Sequence, residues 1–188
     1  VDILTAADTD IANSRAETAL SLWSGLFSEP ADMQLRVSLE DLPNGQLGQA
    51  RIDALNPDGL PISGTIVLDK DAAGVGWFID ATPLDHNEFS TTLDQSAFLA
   101  TAESPAAGRY DLLTVLLHEA GHLLGFDPKM EGFATHLGTV AGSQMFVGSG
   151  LNALLAQDAS HLASSQYPND LMNDILSPST RRLPSSLD

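Results

Sequence analysis

The chain has 188 residues, of which 25 are Asp or Glu and only 8 are Lys or Arg, so its formal net charge is −17 at pH 7. Such acidity repels phosphate backbones and anionic membrane surfaces, which argues against nucleic-acid binding. The absence of cysteine excludes disulfides, thiolate metal ligands and cysteine nucleophiles. A hydrophobic content of 43% supports a globular domain with its own core, and no apolar run is long enough to cross a bilayer.

The predicted elements begin with a helix and continue as short strands. Apolar periodicity predicts a first helix over 10–27, and Glu29-Pro30 follows it as a stop signal. Alternating residues between turns then predict four strands, at 33–39, 49–55, 64–68 and 76–79. A short helix is predicted at 95–100 and the longest apolar helix at 110–124. The final third is expected to be irregular, apart from a modest helical stretch at 151–156.

The motif that carries chemistry is His118-Glu119-Ala120-Gly121-His122, an H-E-x-x-H sequence inside the longest predicted apolar helix. Residues four apart share a helix face, so both imidazoles can reach one metal ion, and Glu119 is placed to take a proton from water. Zinc suits nitrogen donors, and a catalytic zinc site keeps three protein ligands and one water. Glycine inside a helix costs up to about 1 kcal/mol relative to alanine, so we expect Gly121 to make room for a neighbouring element.

With Gly125 the motif extends to H-E-x-x-H-x-x-G, and here the chain resembles the metzincin clan of zinc peptidases. In that clan the third ligand follows the glycine by three residues. This chain has Pro128 at that position, and Asp127 comes one residue too early. The third ligand must therefore come from elsewhere. The other histidines and carboxylates that we consider are His86, His136, His161, Glu131, Asp158, Asp170 and Asp174.

The later sequence resembles leishmanolysin-like metzincins, which carry an insertion before the third histidine. Phe146-Val147-Gly148, Ser160-His161 and Leu171-Met172 occur in that family's order, so the resemblance covers about 110–172. It implies that His161 is the third zinc ligand. It also implies that Met172 is the methionine of the Met-turn, an apolar floor beneath the zinc ligands. The insertion at 127–160 has no role in this reading beyond delivering His161.

The resemblance implies an α+β fold, a metzincin-like two-lobed zinc peptidase in which 1–188 is a single catalytic domain. An upper lobe at 1–125 would hold a twisted mixed sheet and two long helices. An irregular lower lobe at 126–188 would hold the third ligand and the Met-turn. The implied function is a zinc-dependent endopeptidase with Glu119 as general base, acting on a protein or peptide that adds as a strand to a sheet edge.

Partners and location follow from the same resemblance and from the charge. We expect a secreted or cell-surface protein of bacterial origin, monomeric or part of a larger multidomain chain. We expect no nucleic-acid partner and no membrane insertion. The adjacent Arg181 and Arg182 are expected to pair with the acidic body or to hold the C-terminal lobe.

Alternatives remain open for the function and for a second metal. One is a catalytically inactive zinc-binding interaction module of a larger surface protein, although the intact Glu119 argues against it. Another is a zinc hydrolase that acts on substrates other than peptides. Calcium is a second candidate cofactor, because hard oxygen donors cluster around the fourth predicted strand; the alternative is turn-forming aspartates on a solvated surface. These donors are Asp69, Asp71, Asp80, Asp85 and Glu88.

Overall fold

The computed structural model describes residues 3–27, 33–148 and 150–188. They form an α+β fold with few helices and several small sheets. The helices are a 3-10 turn at Ala6–Asp8, α1 at Thr9–Ser24, α2 at Leu112–Leu123 and α3 at Glu131–Ala134. The predicted stop signal Glu29-Pro30 lies outside the described residues. None of the described helices is long and apolar enough to span a membrane.

The strands are short, and they alternate with turns along the chain. They are β1 Gln34–Glu40, β2 Gly48–Leu55, β3 Pro61–Asp69, β4 Trp77–Phe78, β5 Thr91–Thr92, β6 Ala97–Leu99, β7 Tyr110–Asp111, β8 Leu137–Val140, β9 Ser143–Val147, β10 Asn152–Leu154 and β11 Thr180–Arg182. They pair into four sheets, in the orders β1-β3-β2, β10-β9-β8, β11-β6-β5 and β4-β7. The four strands predicted before 80 are confirmed as β1 to β4.

The first sheet is mixed and lies directly on α2. β3 pairs parallel with β1 and antiparallel with β2, which leaves β2 at one edge. Two glycines allow the close approach of sheet and helix. A Cβ atom on Gly64 would lie 2.8 Å from the Leu123 side chain, and one on Gly48 would lie 2.9 Å from the Glu119 side chain. Because neither position has room for a side chain, β2 runs close beside the polar part of α2.

α1 covers another face of α2 through small residues. Ala12, Ala16 and Ala19 recur at helical spacing and are fully buried, which lets the two helices pack closely. Trp23 closes this contact, because its Nε1–H donates to the Leu117 carbonyl at 2.9 Å. Nearly every residue of α2 is buried. The helix is thus held on several sides, and its register relative to the sheet is fixed.

Three predictions after residue 90 are wrong. The segment at 95–100 is not a helix but contains β6, which pairs with β5 and β11, and 151–156 contains β10, which pairs with β9. The final third is also more regular than predicted, because β8, β9 and β10 form an antiparallel sheet. Short apolar runs do not distinguish helix from strand by periodicity, and here the pairing partner decides.

Candidate metal centre

The site begins with the way α2 starts and ends. The Asp111 Oδ2 accepts hydrogen bonds from the Thr114 N–H at 3.2 Å and the Thr114 hydroxyl at 2.7 Å, which caps the first turn. At the other end Gly125 has a φ of 126°, which favours glycine, and the chain turns back there. The turn brings the carbonyl of Phe126 against the His122 ring, 2.8 Å from Nδ1.

Three half-buried histidines meet beside the second half of this helix. The rings of His118, His122 and His161 have centroids 4.8 to 5.2 Å apart. One nitrogen from each ring lies within 4.8 Å of the other two, so the three side chains could hold a metal ion. In the part of the chain that the structure describes, no other group of His, Asp and Glu meets this criterion. The structure therefore brings together the residues that the sequence predicted as zinc ligands.

Hydrogen bonds at Nδ1 orient all three rings. His118 Nδ1 lies 2.9 Å from the Leu171 carbonyl, and His122 Nδ1 lies 2.8 Å from the Phe126 carbonyl. A carbonyl only accepts, so Nδ1 carries the proton in both rings and Nε2 keeps its lone pair. His161 Nδ1 lies 2.7 Å from Asp158 Oδ2. Each ring therefore has its Nδ1 tied to an oxygen, as is typical of metal-ligating histidines.

The two motif histidines show why a cation fits between them. Their Nε2 atoms are 3.1 Å apart, and both carry lone pairs when both Nδ1 atoms are protonated. Two lone pairs at this distance repel each other unless a proton or a metal ion lies between them. Burial also lowers the pKa of His118 to about 3 and the pKa of His122 below its usual value, so a proton is disfavoured there. The donor set therefore fits a metal ion.

Backbone hydrogen bonds to two neighbouring segments hold the loop that carries His161. The Ala156 N–H donates to the His161 carbonyl at 2.9 Å, and the Leu162 N–H donates to the Met172 carbonyl at 2.8 Å. Leu162 also bridges to Asn173 in a parallel arrangement. The segment that follows β10 and the segment around Met172 thus hold one another, and together they place the imidazole against α2.

Met172 lies against the middle of the motif. Its side chain is fully buried, and a Cβ atom on Gly121 would lie 2.6 Å from the Met172 Sδ and 3.1 Å from the Trp23 ring. Any larger residue at 121 would therefore displace either the methionine or the tryptophan. The expectation that Gly121 makes room for a neighbouring element is confirmed. The adjacent Leu171 supplies the carbonyl that orients His118.

Glu119 is a buried carboxyl group beside the histidines. Its side chain packs against Gly48, and burial raises its pKa to about 8, although the Ala50 N–H opposes the shift. A carboxyl group with a pKa near the working pH can both accept and release a proton. Buried carboxyl groups with strongly shifted pKa values are common at functional sites.

Glu119, His118 and His161 line one cavity of about 430 Å³. The loop 44–48, which leads into β2, forms one wall, and the segment 173–176 after Met172 forms another. The cavity continues along the first half of α2. The residues that line it there are Tyr110, Thr114, Val115, Leu171 and Arg182. Of these, the sequence singles out Leu171, as part of the Leu171-Met172 pair, and Arg182, as one of two adjacent cations in a very acidic chain.

The remaining ligand candidates lie in other surroundings. His86 stacks on Phe98 with ring centroids 4.5 Å apart, and His136 packs against Phe146 with centroids 5.1 Å apart. Asp127 accepts from the Lys129 N–H at 2.8 Å. The other candidate carboxylates are not part of the histidine group either; these are Glu131, Asp158, Asp170 and Asp174. Asp158 contacts the centre indirectly, because it orients His161.

The four aspartates proposed for calcium accept hydrogen bonds from backbone N–H groups. Asp69 accepts from the N–H groups of Leu42 and Ala73 at 2.7 and 2.8 Å, which lowers its pKa. Asp80 accepts from the Thr82 N–H at 2.8 Å and lies 2.8 Å from the Arg181 guanidinium. Within the described ranges these carboxylates form no group that could hold a metal ion. Their geometry is that of turn-forming aspartates.

No protein-family model matches this chain, and no curated protein or solved structure matches it either.

Proposed function

We propose that this chain is a zinc-dependent endopeptidase built on a metzincin-like, two-lobed plan. One observation carries the proposal: a buried carboxyl group and two of the three converging histidines line the same cavity, next to the edge strand of a sheet. A purely structural zinc site would need a fourth protein ligand. In the described part of the chain the histidine group has three members, which leaves a position for water or substrate.

Zinc is the metal that this donor set favours. Three neutral imidazoles are borderline ligands suited to Zn²⁺, whereas calcium and magnesium prefer oxygen. His118, His122 and His161 would hold the ion through Nε2, since each Nδ1 is engaged by an oxygen. A zinc ion bound there would act as a Lewis acid that acidifies water and polarises a carbonyl oxygen.

Glu119 then has the role of moving the proton. Its carboxyl group is buried at the wall of the cavity. Burial raises its pKa, and no nearby charged side chain contributes to that shift. It can accept a proton from the attacking water and donate it to the nitrogen of the leaving amine. Gly48 and the Ala50 N–H hold this carboxyl group in place from the β2 side.

The edge strand offers a way to hold an extended substrate. β2 pairs with β3 on one side, and no strand within the described ranges pairs with its other side. The free edge begins at Gly48, beside Glu119 and the cavity wall at 44–48. An extended peptide that adds to this edge would pass over the cavity, with main-chain hydrogen bonds for affinity and the cavity for a side chain.

The test compares zinc-loaded wild type with Glu119→Gln on an unfolded protein substrate. Loss of a general base costs about 10²- to 10⁴-fold in rate, so we expect turnover to fall within that range while zinc content stays near one ion per chain. Glu131→Gln, which removes an exposed carboxylate from α3, is the matched control and should cleave like wild type. A chelator should abolish cleavage, and added zinc should restore it.

The alternative functions give different results. Equal cleavage by wild type and Glu119→Gln would contradict the mechanism. Stoichiometric zinc with no cleavage by either protein would favour the interaction module. Hydrolysis of an ester or amide that is not a peptide, with no peptide cleavage, would favour a different zinc hydrolase.

A further inference from the structure

Arg182 is a buried cation beside the proposed active site, and among the described residues no carboxylate forms an ion pair with it. Its side chain is 5% exposed and lines the cavity that also contains His118 and Glu119. Its Nη1 and Nη2 atoms donate to the main-chain carbonyls of Asp170 and Pro168, at 3.1 and 2.8 Å. Its Nε atom is buried without a hydrogen-bond partner. No described carboxylate lies within 4.0 Å of the guanidinium.

The neighbouring arginine shows what a structural role looks like in this protein. Arg181 is also buried, but its guanidinium lies 2.8 Å from carboxylate oxygens of both Asp80 and Asp111, and it stacks over the Phe89 ring. Successive residues of a strand point to opposite faces, so the side chains of the two arginines of β11 lie in different surroundings. The charge of Arg181 is paired with two carboxylates inside the fold, whereas in the described part of the chain the charge of Arg182 has no carboxylate within ion-pair distance.

An unpaired buried charge is unfavourable, because the guanidinium has lost its water without gaining a counter-ion. The described carboxylates that act on Arg182, Asp170 and Asp94, do so from beyond ion-pair distance. Asp174 also lines the cavity, but it is exposed, so water and salt screen its charge. Arg182 is the one Lys or Arg among the described residues that line the cavity, so its charge is the positive charge that an incoming group would meet.

We propose that Arg182 makes this cavity select an acidic side chain, Asp or Glu, on a substrate residue that flanks the scissile bond. The inference rests on the proposed peptidase function and adds its substrate class. Thr114 fixes the position of β11 relative to α2, because the Thr114 hydroxyl accepts a hydrogen bond from the Arg182 N–H at 2.9 Å. Thr114 is one helical turn before His118 on α2, so the cation lies within side-chain reach of the proposed reaction centre.

The experiment uses zinc-loaded protein and a set of peptides that differ only at the two residues flanking the cleaved bond. Each position carries Glu, Gln, Leu or Lys in turn, and kcat/KM is measured for each. At an effective dielectric constant near 20, two charges several ångströms apart interact strongly enough to change a rate about tenfold. We expect wild type to prefer Glu over Gln about tenfold at one position and to disfavour Lys there.

Arg182→Gln is the test variant, because its amide can still donate to a main-chain carbonyl. We expect its Glu-to-Gln ratio to fall to about 1, while the Leu peptide remains a substrate. The ratio does not depend on the fraction of active protein, so partial misfolding does not obscure it. Asp174→Asn is the variant of opposite sign, and because the Asp174 charge is screened it should raise the Glu-to-Gln ratio by less than Arg182→Gln lowers it. A wild-type ratio near 1 at both positions, with the peptides cleaved, would overturn the inference and leave the peptidase intact.

A binding measurement separates this inference from the proposed function. Zinc-loaded Glu119→Gln is titrated with fluorescein-labelled Glu and Gln peptides, and affinity is read from anisotropy. Tighter binding of the Glu peptide that disappears in Glu119→Gln/Arg182→Gln supports the role of Arg182, even if wild type cleaves no peptide. Equal binding of the two peptides contradicts that role.

Discussion

The two halves of α2 treat their polar groups in opposite ways. In the first half, Asp111 has all its interactions inside the protein: Oδ2 binds Thr114 and the Arg181 Nε, and Oδ1 lies 2.8 Å from the Arg181 Nη2. In the second half, the Nε2 atoms of His118 and His122 converge on each other, and Glu119 borders a cavity. At the start of the helix the polar groups bind partners inside the protein, and we call this the closed half. Further along, the polar groups face each other or a cavity, and we call this the open half.

This difference teaches how to separate structure from function in a buried polar cluster. Both halves contain groups that are costly to bury, so burial alone does not identify a site. In the first half, Arg181 of β11 compensates this cost. In the second half, the Nε2 atoms of His118 and His122 face each other, and the Glu119 carboxyl group borders the cavity. Unsatisfied atoms in an otherwise well-packed fold indicate where a ligand completes the structure.

The largest expected effect comes from opening the closed half. Arg181→Met leaves the carboxylates of Asp80 and Asp111 buried without their cation, and breaking such a pair costs about 3–5 kcal/mol. We expect the free energy of unfolding to fall by that amount in urea denaturation. Lys70→Met, which breaks a solvent-exposed ion pair with Asp41, is the control and should cost less than about 1 kcal/mol. Equal losses in the two variants would contradict the closed network.

The second effect is a pH dependence of the open half in the metal-free protein. The pKa of Glu119 is about 8 when folded, against 4.5 unfolded, so between these values the native state holds a proton that the unfolded state lacks. Stability therefore falls as pH rises towards 8 and levels off above it. We expect wild type to lose about 2 kcal/mol between pH 6 and 8 relative to Glu119→Gln.

The comparison with Glu119→Gln removes other contributions to that profile. Asp188 also has its pKa raised to about 8, chiefly by burial, but both proteins contain it. Parallel stability curves for the two proteins between pH 6 and 8 would show that Glu119 is ionised in the folded, metal-free state.

The third effect tests the packing beneath the open half. Gly121→Ala gains helix propensity but places a methyl group against Met172 and Trp23, and overpacking costs about 1–3 kcal/mol. Since the propensity gain is up to about 1 kcal/mol, we expect a net destabilisation of about 1–2 kcal/mol. Gly132→Ala is the control, because a Cβ atom there meets nothing within 4 Å. A stabilised Gly121→Ala protein would show that Met172 can move away without cost.

The smallest effect concerns the orientation of the third imidazole. Asp158→Asn removes the negative charge beside His161 Nδ1 but keeps an oxygen acceptor. Loss of an oxygen partner on a metal-ligating histidine costs 10- to 100-fold in metal affinity, and we expect about tenfold for this mild change. Competition with a chromophoric zinc chelator measures it. An unchanged affinity would mean that His161 is not a ligand or that Asp158 does not orient it.

Sequence patterns predicted the parts of this fold that depend on local signals. The α2 helix was foreseen from its apolar run, but it begins two residues later than predicted, because Tyr110–Asp111 pairs with β4 and Asp111 serves as the cap. β6 and β10 are missed because each has only three residues, too few to show a period; β10 pairs with the neighbouring β9, whereas β6 also pairs with β11 near the end of the chain. Pairing between distant segments leaves no local trace.

The residues of the candidate site also divide into those that a local sequence pattern predicts and those that it does not. His118, Glu119 and His122 are marked by spacing within one helix, and His161 was reached through the family resemblance rather than through any local pattern. Arg182 and the loop 44–48 come to the cavity through strand pairing and turns that no spacing rule reports. The one available signal for Arg182 was its rarity, as a cation pair in a chain with only 8 Lys and Arg.

Because of the position of His161, a metal ion bound to the three histidines would link two segments that are far apart in the chain. His118 and His122 belong to α2, while His161 is held by backbone hydrogen bonds to the segment around Met172, so an ion joins segments that are far apart in sequence. A ligand that binds only the folded arrangement stabilises it by mass action, and closing a long loop lowers the entropy of the open ensemble. Metal binding would then stabilise the arrangement of the C-terminal third against α2. If the proposed zinc site is filled, the zinc available to the protein would set how much of it resists proteolysis.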